Sequence, residues 1–196
     1  MCFSADGTAL FLPPSKAAGA MRVLGISGSL RAASINSALL RAAARLAPSG
    51  MTLTIFQGVG ELPLFNPDLE ARLPSRVSTL HAAVASSDAL LFASPEYAHG
   101  VTGTIKNALD WLVSFEPFAS KHVAVLNASP RAHHADAALR ETLKTMSAVV
   151  VEAASIGIPL LGARLTEEEM VQHAATSSAI KRSLLALHEA VRGRPP

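Results

Sequence analysis

Two stretches of this chain carry side chains suited to holding a charged group and a flat ring. The first, Gly28-Ser29-Leu30-Arg31-Ala32-Ala33-Ser34-Ile35-Asn36, gathers hydroxyls, a guanidinium and a side-chain amide within nine residues. It follows a mostly apolar run, 21–27, and opens onto a segment whose Ile35, Leu39, Ala42 and Leu46 share one helical face. A phosphate placed there meets a helix N-terminus, unpaired backbone N–H groups and the fixed fork of Arg31. Ser29 and Ser34 can donate O–H, and Asn36 can donate N–H. The same residues also suit an ordinary capped helix, with Ser34 as N-cap and Arg31 as a solvated charge. Taken alone, this loop leaves both readings open.

The second stretch, 94–111, reads SPEYAHGVTGTIKNALDW. Pro95 ends a strand and stiffens the turn, Tyr97 and His99 can lie along an aromatic plane, and Gly100 and Gly103 permit close backbone approach. Backbone N–H groups in such a loop can hydrogen-bond the edge of an isoalloxazine and stabilise the negative charge of its reduced form. Ile105, Ala108, Leu109, Leu112 and Val113 then follow helical spacing, which gives the helix one buried face. A purely structural strand-turn-helix with Trp111 in the core is the other reading.

Other chemistries fit less well. Gly25-Ile26-Ser27-Gly28-Ser29 lacks the third glycine of a dinucleotide fingerprint, and no Gly-Lys-Ser/Thr is present for a nucleoside triphosphate. A hydrolase elbow centred on Ser27 would need glycine where Ser29 stands. His133 and His134 are adjacent, so on a helix they point roughly 100° apart rather than forming the i, i+4 pair of a zinc site, and they are read as exposed, with no metal. Glu96 is read as a structural hydrogen-bond acceptor, and Lys106 with Asp110 as a solvated i, i+4 pair.

The elements that must position these loops alternate along the chain. Strands are expected at 22–27, 52–56, 89–94, 122–129 and 149–153. Helices are expected at 34–46, at 75–86 with Val77, Leu80 and Val84 in phase, at 104–113, at 135–146 with Leu139 and Leu143 in phase, and after Thr166, where Glu169 completes a capping box. Near-continuous apolar strands imply a parallel sheet covered on both faces. The expected fold is α/β, a flavodoxin-like three-layer sandwich with a five-stranded parallel sheet in the order 2-1-3-4-5. In that order the loops after Ser27 and Ser94 face each other across the crevice at the reversal point.

Composition narrows the field further. The 196 residues fit a single domain over 21–196, preceded by a flexible N-terminal extension, 1–20, in which Pro13-Pro14 interrupts a short apolar stretch. A net charge of +2 with no basic block argues against nucleic-acid binding. Apolar runs are too short to cross a bilayer, and Cys2, the single cysteine, excludes an intrachain disulfide, so a cytoplasmic location is expected.

The pair GSLRAASIN and SPEYAHGVTGTIKNALDW resembles the NADPH-dependent FMN reductase family, a flavodoxin-like group that includes quinone, chromate and azo-dye reductases. The resemblance runs from Met21 to about Met146. It implies that Ser29, Arg31, Ser34 and Asn36 bind the FMN phosphate, and that Pro95, Glu96, Tyr97, Ala98, His99 and Gly100 line the isoalloxazine and ribityl chain. It further implies ping-pong transfer of hydride from NADPH (or NADH) through FMN to a small-molecule acceptor, such as a quinone, flavin, azo compound or metal oxyanion. No catalytic side chain is required, although His99 is a candidate proton donor to a reduced quinone. A flavodoxin-type electron carrier without NADPH activity, or a non-catalytic phosphate- or nucleotide-binding module, are the alternatives.

The chain departs from the family pattern in two places. Ala98-His99 stands where many relatives have asparagine after Pro-Glu-Tyr, and the loop 127–134 lacks the glycines common in relatives, although Ser129 and Arg131 can still reach a ligand. Family members commonly form homodimers or homotetramers with the third helix near the interface. Trp111, Leu112, Phe115 and Phe118 are read as support for that, and Leu64 and Phe65 as facing a partner subunit.

Overall fold

Strand β1 (Met21–Ser27) is buried at every position but Arg22, as befits a strand with neighbours on both edges. In the computed structural model, which describes residues 19–129, 131–160, 162 and 165–193, β1 pairs in parallel with β2 (Met51–Ile55) and β3 (Ala89–Ala93). A two-residue-long antiparallel hairpin, β4 (Glu96–Tyr97) with β5 (Gly100–Val101), follows β3. Strand β6 (His122–Asn127) pairs with β3, and both β7 (Val149–Val150) and β8 (Ile156–Gly157) pair with β6. The sheet therefore has the expected 2-1-3-4-5 arrangement, with its fifth position shared by two short strands.

That split corrects the continuous strand expected at 149–153. After Val150 the chain turns through a 3-10 segment, Glu152–Ala154, before rejoining the sheet. Glu152 leaves the sheet to pair with Arg140 at 2.7 Å and Lys144 at 2.8 Å, while the Ser155 hydroxyl accepts the Val125 N–H at 3.1 Å in place of a ladder carbonyl.

Side chains alternate across the sheet even though the strands are apolar throughout. Val23, Leu91 and Leu126 point to a core shared with α1 (Ile35–Arg45), α5 (Glu167–Gln172) and α6 (Ala174–Val191). Leu24, Ile26 and Phe92 point to the opposite core, shared with α2 (Ser75–Ala85), α3 (Gly103–Asp110) and α4 (His133–Thr145). One helix was expected after Thr166, and two are present. The Thr166–Glu169 capping box starts α5, extended backbone at His173 stops it, and the His173 side chain caps α6 by accepting the Thr176 N–H.

The aromatic cluster following α3 is also placed differently from expectation. Trp111, Leu112 and Phe118 are each 1 % exposed and belong to the core, so they offer no surface to a partner. Fully burying a side chain of this kind contributes about 1.5–3 kcal/mol. The Trp111 Nε1–H donates to the Pro63 carbonyl at 2.8 Å, Phe65 meets the Trp111 ring edge-on at 5.0 Å, and the Phe115 ring stacks on His81 at 4.0 Å. Of the expected N-terminal extension, 1–18 lies outside the described residues.

Candidate functional site

The crevice lies at the C-terminal edge of the sheet, where β1 and β3 are neighbours and their following loops leave in opposite directions. Gly28 pins those loops together. Its N–H donates to the Ala93 carbonyl at 2.8 Å, and a Cβ at this position would come within 2.7 Å of Ser94 Cβ and 2.8 Å of Ile105 Cγ1. Only glycine fits there without displacing the second loop.

A cavity of about 310 Å³ opens beside this contact. From the β1 loop it is lined by Ser29, Arg31, Ser34, Ile35 and Asn36, from the β3 loop by Ser94, Pro95, Glu96 and Tyr97, and from the β6 loop by Asn127, Ala128, Ser129, Arg131 and Ala132. The two sequence stretches singled out for chemistry thus meet in one cavity. Ala98, His99 and Gly100 do not line it: Ala98 and His99 form the turn of the β4–β5 hairpin next to it, and Gly100 begins β5.

Ser34 is both an N-cap and a cavity residue: its hydroxyl accepts the Ser37 N–H at 3.2 Å and can still donate its own proton outward. Asn36 is 4 % exposed, and its Oδ1 is buried without a hydrogen-bond partner among the described residues. A buried amide of this kind is an unmet capacity that a ligand can fill, either by a hydroxyl donating to Oδ1 or by the flipped amide donating to an anion. Arg31 is exposed and forms no ion pair with another described residue, so its charge is free for a ligand.

The hairpin that carries Tyr97 has an unusual turn. Ala98 and His99 have φ of 50° and 58°, the left-handed pair of a type I′ turn that normally takes Asn-Gly. External contacts hold it. The Glu96 carboxylate accepts the Ala135 N–H at 2.8 Å, which fastens the hairpin to the N-terminal turn of α4. This hydrogen bond is the main cause holding the Glu96 carboxyl below its usual range, against the opposing effect of burial and with help from His99, His134 and His133. The structural-acceptor reading of Glu96 matches this geometry. His99 stacks on His134 at 4.4 Å, and His134 in turn lies 4.1 Å from His133.

Asn127 organises the β6 loop in place of the missing glycines. Its Oδ1 accepts the Ser129 N–H at 2.9 Å and its Nδ2 donates to the Ala132 carbonyl at 3.0 Å. Ser94, Asn127 and Ala128 lie in the stretches read from sequence but are not among the ligand-binding residues expected there; the signal available is that each ends or follows a strand at the crevice edge. Among the described residues no group of three or more His, Cys, Asp or Glu side chains could hold a metal ion, and no helix is long and apolar enough to cross a membrane.

An open parallel sheet with this strand order and a hydroxyl-rich crevice at its reversal point defines a flavodoxin-like protein. The family model for NADPH-dependent FMN reductase matches residues 21–160, and the chain belongs to that family. An NAD(P)H-dependent FMN reductase of Pseudomonas aeruginosa is 43% identical over 112 residues, which is 56% of this chain and 60% of that protein. A quinone reductase of Pseudomonas putida is 40% identical over 113 residues, 55% of this chain and 59% of its own. The chain thus spans about three fifths of the length of these relatives. Among solved structures, the flavoenzyme NAD(P)H:(acceptor) oxidoreductase FerB from Paracoccus denitrificans superposes with a TM-score of 0.75 at 27% identity, covering 89% of this chain and 98% of that one.

Proposed function

We propose that this protein is an NAD(P)H-dependent, FMN-containing oxidoreductase that delivers electrons to a small-molecule acceptor, a quinone foremost. The observation that carries the reading is that one cavity joins an anion cradle, Ser29, Arg31, Ser34 and Asn36, to the Pro95–Tyr97 wall. FMN has the two parts such a cavity takes, a terminal phosphate and a flat ring with polar edges. The orphaned Asn36 amide and the unpaired Arg31 fit it.

When bound, FMN would supply the hydride chemistry itself, so the protein's contribution is placement. Ser29, Ser34 and the backbone N–H groups at the start of α1 would hold the phosphate with Arg31, while Pro95 and the Glu96–Ala135 bond keep the facing wall rigid. Ser129 and Arg131 border the same cavity from the β6 loop, and Arg131 is the candidate contact for the extra phosphate that distinguishes NADPH from NADH. Ala98, His99 and Gly100 would act from the adjoining hairpin, with His99 the candidate proton donor to a reduced quinone.

Free flavin, azo compounds and metal oxyanions are further acceptors consistent with this reading. A cytoplasmic setting, where NAD(P)H is supplied, belongs to it as well, as does a homodimer or homotetramer, for which Leu64 at 83% and Val113 at 65% exposed are among the exposed apolar groups. The visible spectrum of the purified protein, repeated anaerobically after adding NADPH, is the test. Flavin bands near ~450 nm that bleach promptly are expected of a bound cofactor tuned by its site. Bands that persist would instead indicate an electron carrier, and a protein that cannot be loaded with FMN would overturn the reading.

A further inference from the structure

We infer that His134, together with His99 and Glu96, is a positioning residue that latches the β4–β5 hairpin onto α4 and so holds the Pro95–Tyr97 wall of the cavity in place, and that this latch loosens when the stacked imidazoles become charged. The inference deepens the proposed function and, for its affinity readout, rests on FMN being the ligand.

The hairpin cannot hold itself. It is two residue pairs long, and its turn places two non-glycine residues, Ala98 and His99, in left-handed backbone. Helix α4, by contrast, is firmly seated: Arg140 binds Asp136 and Glu152, each at 2.7 Å, and donates to the Ser155 carbonyl at 3.1 Å. Between this fixed base and the hairpin stand the Glu96–Ala135 hydrogen bond and the His99–His134 stack, with ring planes 26° apart and centroids 4.4 Å apart.

The charge balance around the stack is uneven. Among the described residues, Glu96 from the hairpin faces the stack without a cation partner, whereas Asp136 on α4 is committed to Arg140. Opposing it are His99 from the turn, His133 and His134 from α4, and Arg131 from the preceding loop, whose carbonyl lies 3.2 Å from His133 Nδ1. A first proton on the stack is matched by Glu96. A second places like charges about 4 Å apart, beside the positive end of a helix dipole, and drives the rings apart. The latch is therefore closed while the stacked rings are neutral and opens as they take up protons.

The test measures FMN affinity of flavin-stripped, full-length protein by quenching of flavin fluorescence at about pH 7.5 and about pH 5.5, on either side of the histidine range. Wild type is compared with His134→Phe, which keeps a stacking ring that cannot charge. The ligand phosphate titrates identically in both, so it cancels from the comparison. Wild type is expected to lose about threefold to tenfold more affinity on acidification than His134→Phe, the size of a partly screened charge pair at this distance. Equal acid losses in the two proteins overturn the latch. A second readout needs no flavin: imidazole NMR titration of the wild-type protein should show His99 and His134 titrating in coupled, separated steps. Independent single-step titrations overturn the inference. If wild type fails to bind FMN even at the higher pH, the proposed function falls, and the NMR titration still decides the latch.

Discussion

Gly28 and Ser94 lie so close that a single added carbon on Gly28 would reach within 2.7 Å of Ser94 Cβ. The contact joins the two loops that end β1 and β3, and the cavity takes its shape from it. Gly28→Ala should therefore destabilise the fold by about 1–3 kcal/mol, as overpacking does. It should also lower the flavin content of the purified protein, because relief of the clash pushes the cradle and the facing wall apart. Denaturant unfolding together with flavin stoichiometry checks both parts.

Arg31 is exposed and has no structural partner among the described ion pairs, so Arg31→Ala should leave the melting temperature unchanged. Loss of a charge-assisted contact to a phosphate costs about 1.5–3 kcal/mol, which corresponds to roughly tenfold to a hundredfold weaker FMN binding. Fluorescence titration of the flavin-stripped variant measures this. Unchanged affinity would remove Arg31 from the cradle.

Glu96→Gln preserves an oxygen that can accept the Ala135 N–H but removes the charge. The folded-state carboxyl is held below its unfolded value, chiefly by that hydrogen bond, so the stabilisation it brings is present above the unfolded value of about 4.3 and disappears as pH falls through the lower folded value. Wild type should melt above Glu96→Gln at neutral pH, and the two curves should converge in acid. Melting temperature recorded against pH shows whether they do.

Trp111→Phe removes the hydrogen bond to the Pro63 carbonyl and part of the ring against which Phe65 rests. The Pro63 carbonyl keeps the Asn107 amide as a donor at 3.0 Å, so a loss of roughly 2 kcal/mol is expected from the lost indole hydrogen bond and the lost packing together. Because Trp111 is core rather than surface, sedimentation of this variant should match wild type in oligomeric state.

If the protein is a homodimer or homotetramer, its interface should draw on the exposed Leu64 instead. Leu64→Asp should then shift sedimentation toward the monomer while leaving the circular dichroism spectrum intact. A sedimentation profile identical to wild type would exclude Leu64 from any such contact.

Much of the fold is legible in the amino-acid sequence. Strand and helix order, the flavodoxin-like sheet and the Thr166–Glu169 capping box all follow from periodicities and turn residues that act over a few neighbours. The errors have physical causes. The strand expected at 149–153 breaks because Glu152 is drawn out by Arg140 and Lys144, partners that no local pattern reveals. Trp111, Leu112 and Phe118 looked like an interface because hydropathy does not say whether an apolar ring meets its own chain or another.

The cradle residues were visible in the chain itself, since hydroxyls and a guanidinium at the start of a helix are local features: Ser34 caps α1 and lines the cavity from one position. Only the folded molecule brought Ser29 and Asn36 against Pro95, Glu96 and Tyr97, added Asn127 and Ala128 from the β6 loop, and turned His99 away from the cavity onto His134. Local spacing decides which backbone hydrogen bonds a segment can make. Which side chains share a cavity depends on loops from three different strands converging at one edge of the sheet, and that convergence exists only once the strands have paired.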